Sequence, residues 1–238
     1  MGVKKLTHLN LPAAKLPAYK EPQDFRSSMH WRIFRVLAEF IEGWEFIADF
    51  KKSVTIFGST RVPEGNRWYE EARKLGALLS EAGFAVVTGG GPGIMEGGNR
   101  GAAEADGTSV GLNIQLPHEQ RMNPYVNKPK GFHYFFTRKL MLTYSAQAYV
   151  YFPGGYGTLD EFFEIITLMQ EKKIVTHLPI ILIGKEYWGH LDQFLIKTVY
   201  EEYKAVDEAD LKIYTIVDTA EEAMEIVNKS APRDEFGL

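Results

Sequence analysis

The sequence contains no cysteine. This absence excludes disulfides, iron–sulfur clusters and a cysteine nucleophile, and it favours a reducing compartment. The six histidines show no close ligand spacing, so we expect no metal site. No segment reaches the roughly 18 apolar residues that span a bilayer, and the amino terminus lacks the apolar run of a signal peptide. We therefore predict a cytoplasmic protein that has no membrane partner.

The chain also lacks an excess of basic charge. Its 27 basic and 31 acidic residues give a net charge of −4, so we expect no nucleic-acid partner. What the chain does have is 45% apolar residues over a length of 238, which is enough for one sizeable α/β domain.

Three regions are predicted along the chain. Residues 1–28 carry prolines among polar residues, which indicates an extended or disordered arm. Residues 29–50 have apolar side chains at helical spacing and predict an N-terminal amphipathic helix, packed on the main domain or on a second subunit. Its polar side mixes both charge signs, which disfavours a membrane-surface role. Residues 51–238 form the predicted main domain.

Short apolar runs alternate with helical periodicity after residue 51. Strands separated by helices predict a doubly wound, Rossmann-like α/β fold, with a mostly parallel sheet and helices on both faces. Ligands of such folds bind at the carboxyl ends of strands, where the strand order changes direction. We predict strands at 54–57, 84–87, 108–114, 131–136, 148–152, 179–183 and 214–217, and helices at about 66–83, 94–105, 137–146, 158–173, 187–203 and 219–228.

The stretch Pro153–Glu161, PGGYGTLDE, follows an apolar strand and opens a helix. Its glycines permit turns that side chains obstruct, and Thr158 begins the helical periodicity. Unpaired N–H groups at a helix start suit a phosphate or a carboxylate. The spacing from Thr158 to Glu161 also permits a capping box, so Glu161 is either a helix cap or a catalytic acid at this point.

A second glycine loop, Gly89–Gly93, follows the second predicted strand. The dinucleotide pattern GxGxxG fails here, because Ile94 occupies its last glycine position and the third strand does not end in an acid. A Walker A loop fails as well, since Asn99 and Arg100 replace the required Lys-Ser/Thr. A generic phosphate or nucleotide cradle and a plain tight turn are the interpretations that remain.

Two cations, Arg138 and Lys139, lie at a predicted helix start just before the PGGYGT strand. Cations oppose the dipole at a helix start, which favours a functional anionic partner, and a guanidinium can clamp a phosphate with two hydrogen bonds. On the following predicted helix, Asp160 and Glu164 stand beside Glu161, and neighbouring like charges can raise a carboxyl pKa.

These motifs together resemble the Lonely Guy (LOG) family of nucleoside 5′-monophosphate phosphoribohydrolases, which act on cytokinin riboside monophosphates and were formerly labelled lysine decarboxylase-like. Pro153–Glu161 matches the family pattern PGGxGTxxE, and Arg138-Lys139 precedes it at the expected distance. Gly89–Met95 resembles the GGGxxGxM loop but is one residue shorter. The resemblance covers residues 54–227. The chain departs from many members at Leu142, where they have Met, and in the arm and helix before residue 50.

The resemblance implies hydrolysis of the N-glycosidic bond of a nucleoside 5′-monophosphate, such as AMP, to free base and ribose 5-phosphate without a cofactor. A carboxylate near C1′, for which Glu161 is the candidate, stabilises oxocarbenium charge and orients or deprotonates water. Arg138 either stabilises the departing base or anchors the substrate. Substrate and phosphate contacts are then expected from Ser59, Gly90, Gly91, Lys139, Gly154, Gly155, Gly157 and Thr158.

Two other functions compete with this one. The same fold family includes proteins that resemble molybdenum-cofactor carriers, which bind a phosphorylated ligand without turnover, and a purely structural oligomer is the third hypothesis. The lysine decarboxylase label has no support, because no lysine stands in a recognisable pyridoxal-phosphate setting. Family members resemble dimers that share active-site residues, so we expect a homodimer or a higher homo-oligomer.

Overall fold

The computed structural model of the chain describes residue 26 and residues 28–114, 122–174 and 178–230. The predicted arm therefore lies outside the described residues, apart from positions 26 and 28. The described residues up to Arg35 belong to one unit, and the described residues from Val36 onward belong to a second unit, which contains the whole sheet. The domain boundary predicted after residue 50 stays a prediction.

Seven parallel strands form one sheet among the described residues. The order across it is 4-3-2-1-5-6-7 in chain numbering. This confirms the predicted doubly wound, Rossmann-like α/β fold. The strand order changes direction between the first and fifth strands, where Thr55 pairs with Tyr149. The strands are β1 (Ser53–Phe57), β2 (Ala85–Thr88), β3 (Ser109–Ile114), β4 (Lys128–Phe132), β5 (Tyr149–Tyr151), β6 (Ile180–Ile183) and β7 (Tyr214–Val217).

Helices connect the strands in the predicted alternation. A π-helical segment, Leu195–Glu202, continues the sixth helix, and a 3-10 turn, Asp210–Lys212, precedes β7. The described α-helices are α1 (Met29–Ala48), α2 (Arg67–Glu81), α3 (Ile94–Glu104), α4 (Phe135–Tyr144), α5 (Tyr156–Gln170), α6 (Lys185–Phe194) and α7 (Ala220–Val227). Not one of these helices is both long enough and apolar enough to cross a bilayer.

Several predicted boundaries were wrong. The sequence predicts the fourth strand over 131–136, whereas β4 covers Lys128–Phe132 at the edge of the sheet. Edge strands accept proline and lysine, and these residues hide the strand in the sequence. The helices α4 and α5 begin at Phe135 and Tyr156, before the predicted starts. The apolar residues in their first turns are exposed, so the burial periodicity did not mark them.

The apolar side chains of the strands feed two cores, one on each face of the sheet. On β6, Ile180 and Leu182 join one core, and Ile181 and Ile183 join the other, which is the period of two that a strand imposes. Side chains of α4, α5 and α6 complete the first core, and those of α2, α3 and α7 complete the second. Dense packing on both faces makes the sheet a rigid base for the loops at its carboxyl edge.

The start of α4 is held by a carboxylate from α1. Glu39 accepts hydrogen bonds from the N–H of His133 at 2.5 Å and of Tyr134 at 3.2 Å, and from the hydroxyl of Thr137 at 2.6 Å. An anion at a helix start satisfies free N–H groups and complements the helix dipole. This contact fixes the first turn of α4 and, with it, the position of Arg138, one residue further on.

Candidate active site

A cleft of about 920 Å³ opens where β1 and β5 end. Residues 57–62, which leave β1, and residues 153–159, which leave β5, line much of it. This is the place at which the strand order changes direction, as predicted for a ligand crevice. The volume lies in the range of small-molecule sites.

The cleft brings most of the predicted site residues together. Those in the lining are Ser59, Arg138, Gly154, Gly155, Gly157, Thr158 and Glu161. Three others, Gly90, Gly91 and Lys139, are absent from the lining that the described residues form.

The first turn of α5 presents its backbone at the cleft. Gly155 is the N-cap, and the N–H of Leu159 makes the first helical hydrogen bond, to the carbonyl of Gly155 at 3.0 Å. The N–H groups of residues 155–158 precede that bond and have no partner inside the helix. They supply partial positive charge, which suits a phosphate.

The capping-box interpretation of Thr158 and Glu161 was wrong. Thr158 lies within the first turn of α5, and its side chain packs so closely on Gly154 that a Cβ there would overlap Oγ1. A capping box does occur at α7, where the Thr219 hydroxyl accepts from the N–H of Glu222 at 3.3 Å and the Glu222 carboxylate accepts from the N–H of Thr219 at 3.3 Å. Glu161 is therefore not the cap of its own helix.

Two glycines of the turn face open space. A Cβ at Gly155 or Gly157 would meet no atom of the described chain within 4 Å. Neither residue has a positive φ, so backbone strain does not require glycine there either. The missing side chains leave room beside the free N–H groups for a ligand.

Glu161 is a buried acid with an unused oxygen. Its side chain is 6% exposed, and Oε2 has no hydrogen-bond partner among the described residues. Burial raises the pKa of Glu161 to about 8, and the negative charge of Glu164 adds to this rise, while Lys139 and Arg138 oppose it. A hydroxyl from β5, that of Tyr151, donates to the Glu161 backbone carbonyl at 3.2 Å. The carboxyl is thus placed in the cleft wall and is able to exchange a proton near neutral pH.

Arg138 is oriented by backbone carbonyls. Its Nε donates to the carbonyl of Leu112 at 2.6 Å, and Nη2 donates to that of Gly89 at 3.4 Å. Burial lowers the pKa of Arg138, and the charge of Glu161 raises it. A cation held by neutral acceptors keeps its charge available to a ligand. Because α4 begins at Phe135, Arg138 is the fourth residue of the helix and not its first. The prediction that Arg138 opposes the helix dipole, and therefore needs an anionic partner, does not apply at this position.

Lys139 lies with carboxylates of α5. Its Nζ is 2.8 Å from Oδ2 of Asp160 and 3.3 Å from Oε2 of Glu164. Burial lowers the pKa of Lys139, but its acidic neighbours outweigh burial and raise the pKa overall. The described residues hold no group of three or more His, Cys, Asp or Glu that is placed to bind a metal ion. The predicted role of Lys139 as a substrate ligand stays a prediction.

Gly90 and Gly91 are buried in a network of amides and hydroxyls. The N–H of Gly90 donates to the Thr88 hydroxyl at 2.9 Å, and its carbonyl accepts from the N–H of Asn123 at 2.9 Å. The side chain of Asn123 also donates to the Gly91 carbonyl at 3.0 Å and to Oδ1 of Asn99 at 3.0 Å. These bonds hold the loop together, and the predicted contact of Gly90 and Gly91 with the substrate stays a prediction.

The sequence reasoning missed several residues of the lining. Ser59 was predicted, and its hydroxyl accepts from the N–H of Arg61 at 3.1 Å. Arg61 itself lies in the lining, two residues after Ser59. Its position just after the β1 exit was a signal that could have identified it. Apolar side chains form another part of the wall: Phe57, Val62, Met95, Ile114, Phe135, Leu142 and Leu159.

Comparison with known proteins identifies relatives of this chain. The family model described as "possible lysine decarboxylase" matches residues 95–227. A probable cytokinin riboside 5′-monophosphate phosphoribohydrolase of Oryza sativa subsp. japonica is 32% identical over 136 residues, which are 56% of this chain and 54% of that protein. A pyrimidine/purine nucleotide 5′-monophosphate nucleosidase of Escherichia coli K12 is 27% identical over 199 residues, which are 78% of this chain and 42% of that protein. The chain thus spans about half the length of these relatives.

A solved structure shares the fold. The molybdenum cofactor carrier protein of Chlamydomonas reinhardtii superimposes with a TM-score of 0.58 at 19% identity, covering 75% of this chain and 97% of that one. At this identity the likeness concerns the fold alone. The family model, in contrast, covers more than half of the chain and includes the PGGYGT turn, Arg138 and Glu161. The chain therefore belongs to the possible lysine decarboxylase family, which is the Lonely Guy family that its motifs resemble.

Proposed function

We propose that this chain hydrolyses the N-glycosidic bond of nucleoside 5′-monophosphates, releasing free base and ribose 5-phosphate. One observation carries the proposal: a single cleft contains a helix start without a side-chain cap and a buried carboxyl whose Oε2 has no hydrogen-bond partner among the described residues. Relatives named as a nucleotide 5′-monophosphate nucleosidase and a phosphoribohydrolase support it.

The 5′-phosphate binds at the start of α5. The N–H groups of residues 155–158 and the Thr158 hydroxyl are its donors, and the open space beside Gly155 and Gly157 admits its oxygens. Arg61 adds a cation in the same lining. These contacts bind the part of the substrate that does not react, and they position the glycosidic bond.

Glu161 acts at the ribose. As the bond from C1′ to the base nitrogen breaks, its electron pair leaves with the base and the ribose gains oxocarbenium character. The ionised carboxyl stabilises that charge and takes a proton from the attacking water, whose oxygen bonds to C1′. The proton that Glu161 takes from water passes on to the departing base nitrogen, so the OH of water ends on C1′, its H ends on the base, and the carboxylate is restored. No metal or organic cofactor takes part in these steps.

Arg138 and the apolar wall serve the base. The guanidinium, fixed by two carbonyls, stabilises the electron pair on the departing nitrogen. Met95, Ile114 and Leu142 offer apolar contact to a flat ring. These apolar side chains do not select a base by hydrogen bonding, so we expect several purine and pyrimidine monophosphates to be substrates.

A binding module without turnover is the competing function. A phosphate site alone does not need a buried carboxyl with an oxygen that lacks a hydrogen-bond partner, because such burial costs free energy. Glu161 has that costly environment and lies in the same cleft. This observation favours catalysis over simple binding.

The direct test is to incubate the purified chain with AMP and to separate the products by chromatography. We expect adenine and ribose 5-phosphate in equal amounts, and a loss of about 10²–10⁴-fold in the rate for Glu161→Gln. Glu171→Gln, at the exposed C-cap of the same helix, is the matched control and should keep the wild-type rate. Tight binding of AMP without release of adenine would reject the proposal in favour of the binding module.

The pH dependence tests the protonation state of Glu161. Because the ionised carboxyl is the active form and its pKa in the free protein is about 8, kcat/KM should rise with pH through that value. Measurements above pH 6.5 keep the substrate phosphate largely as the dianion, whose second pKa is about 6. A rate that instead falls over this range would make Glu161 the proton donor and reverse its role.

The preferred base and the assembly belong to the same proposal. Comparing AMP with a cytokinin riboside monophosphate decides whether hormone production is the main activity.

A homo-oligomer is supported by exposed apolar side chains on α1 and α4, which include Leu37, Ile41, Phe135 and Phe136. Light scattering on the purified chain measures the number of subunits, and a monomer at micromolar concentration would contradict the proposed homo-oligomer.

A further inference from the structure

Lys139 and two carboxylates of α5 form a charge cluster, which we name the Lys139 cluster: Lys139, Asp160 and Glu164. The lysine bridges both acids, with Nζ 2.8 Å from Asp160 and 3.3 Å from Glu164. Its side chain is only 20% exposed, and that of Glu164 is 28% exposed. None of the three lines the cleft formed by the described residues, so the cluster does not meet the substrate there.

The cluster surrounds the position of Glu161 on α5. Asp160 is the preceding residue, and Glu164 lies three residues further on, which places it on the same side of the helix as Glu161. Three acids thus share one helical turn, and Lys139 is the cation that ion-pairs with two of them. Without it, less positive charge would offset the two carboxylates that act on the buried carboxyl.

We propose that Lys139 is a positioning residue whose charge, balanced against Asp160 and Glu164, sets the pH at which Glu161 becomes the active carboxylate. This inference rests on the proposed base-releasing function and assigns Lys139 a role other than phosphate binding. The groups that act on Glu161 are Arg138 and Lys139 from α4, Asp160 and Glu164 from α5, and the neutral Tyr151 from β5.

Charge substitutions of opposite sign give opposite predictions. Lys139→Met removes a cation, so Glu161 should ionise at a pH about one unit higher, and the rate at pH 7 should fall about tenfold. Glu164→Gln removes an anion, so the rising limb of the plot of rate against pH should move to lower pH, and the rate at pH 7 should increase. Lys139→Arg keeps the charge and should restore the wild-type profile.

Lys130→Met is the matched control for the lysine. Lys130 has the same 20% exposure and also forms an ion pair, with Glu42 at 2.6 Å, but it lies on the edge strand β4. It should leave the pH profile in place. A loss of packing alone would lower the melting temperature of both methionine variants without moving either limb.

The experiment measures kcat and KM for AMP between pH 6.5 and 9.5 in these variants, together with the titration of the Glu161 carboxyl by carbon-13 NMR, assigned from the Glu161→Gln spectrum. Opposite displacements of the Lys139→Met and Glu164→Gln limbs, with the titration following them, support the proposal. An unmoved limb with a raised KM in Lys139→Met overturns it and makes Lys139 a substrate ligand. If the wild type releases no base, the proposed function fails, and the NMR titration alone still accepts or rejects the charge balance.

Discussion

The two glycine-rich turns of this chain look alike in sequence and differ in structure. Gly89–Gly93 and Gly154–Gly157 each follow a parallel strand and lead into a helix. In the first turn Gly90 and Gly93 have positive φ, and a Cβ on either would overlap neighbouring atoms. In the second turn Gly155 and Gly157 have ordinary backbone angles and open space around them.

The difference separates two reasons for glycine. The first turn uses it to let the chain pack on itself, because its carbonyls and N–H groups are paired with Thr88 and Asn123. In the second turn neither the backbone angles nor the packing requires glycine at positions 155 and 157. The space beside these two glycines is therefore available to a ligand in the cleft. A glycine loop is therefore evidence for a phosphate site only where the space beside it is empty.

The strongest test of this contrast is Gly155→Asp. Aspartate is a favourable N-cap, so α5 and the fold should keep their stability. The new carboxylate would face the phosphate, and we expect kcat/KM for AMP to fall by about 100-fold or more. Gly155→Asn, an uncharged cap of the same shape, should lose far less. Equal losses in both variants would mean that shape and not charge matters at this turn.

A substitution in the other turn should affect folding instead. Gly90→Ala places a Cβ at positive φ against Met122 and the backbone of Gly111. We expect the free energy of unfolding to fall by about 1–3 kcal/mol, measured by urea denaturation. The KM for AMP of the protein that remains folded should stay near the wild-type value. A raised KM at unchanged stability would place Gly90 at the substrate, as the sequence predicts.

The two turns also differ in their response to pH. Amides and hydroxyls surround the first turn, whereas Glu161 borders the second. Its folded pKa lies above the unfolded value, so the unfolded state releases the proton first and stability falls as pH rises from about 5 to 8. Glu161→Gln should remove that decline and be more stable than wild type at pH 8. Thermal melts across this range would contradict the assignment if both proteins followed one curve.

The smallest expected effect is a gain in stability. Gly157 lies inside the first turn of α5, where alanine is the better helix former, and its Cβ would meet nothing. Gly157→Ala should therefore raise the free energy of unfolding by about 0.5–1 kcal/mol. It should also raise the KM for AMP several-fold, because the methyl group occupies space beside the phosphate donors. A gain in stability with an unchanged KM would show that this space is not used.

The sequence predicted the alternation of strands and helices, the parallel sheet and the location of the crevice, because buried strands and amphipathic helices carry strong periodic signals. The prediction failed where a strand or a helix contains polar or exposed residues that break the periodic pattern of burial. Lys128-Pro129-Lys130 reads as a loop, yet it forms an edge strand. Phe135 and Tyr156 begin helices although their side chains are exposed.

The candidate site was predictable only in part. Local motifs identified Arg138, Glu161 and the PGGYGT turn, which the fold brings together in one cleft. Other roles depend on contacts between segments that are distant in the chain. The pairing of Lys139 with Asp160 and Glu164 and the enclosure of Gly90 by Asn123 are of this kind. A sequence read in short windows does not contain that information.

The adjacency of β1 and β5 has a consequence for how the protein is made. These two strands are separated in the chain by β2, β3 and β4, yet the cleft lies between their ends. During synthesis the cleft therefore cannot form until α5 has left the ribosome. Until then β1 to β4 present an unpaired edge at β1, where β5 later binds. A chain truncated after β4 would be a template for strand pairing with other chains and not a weak enzyme.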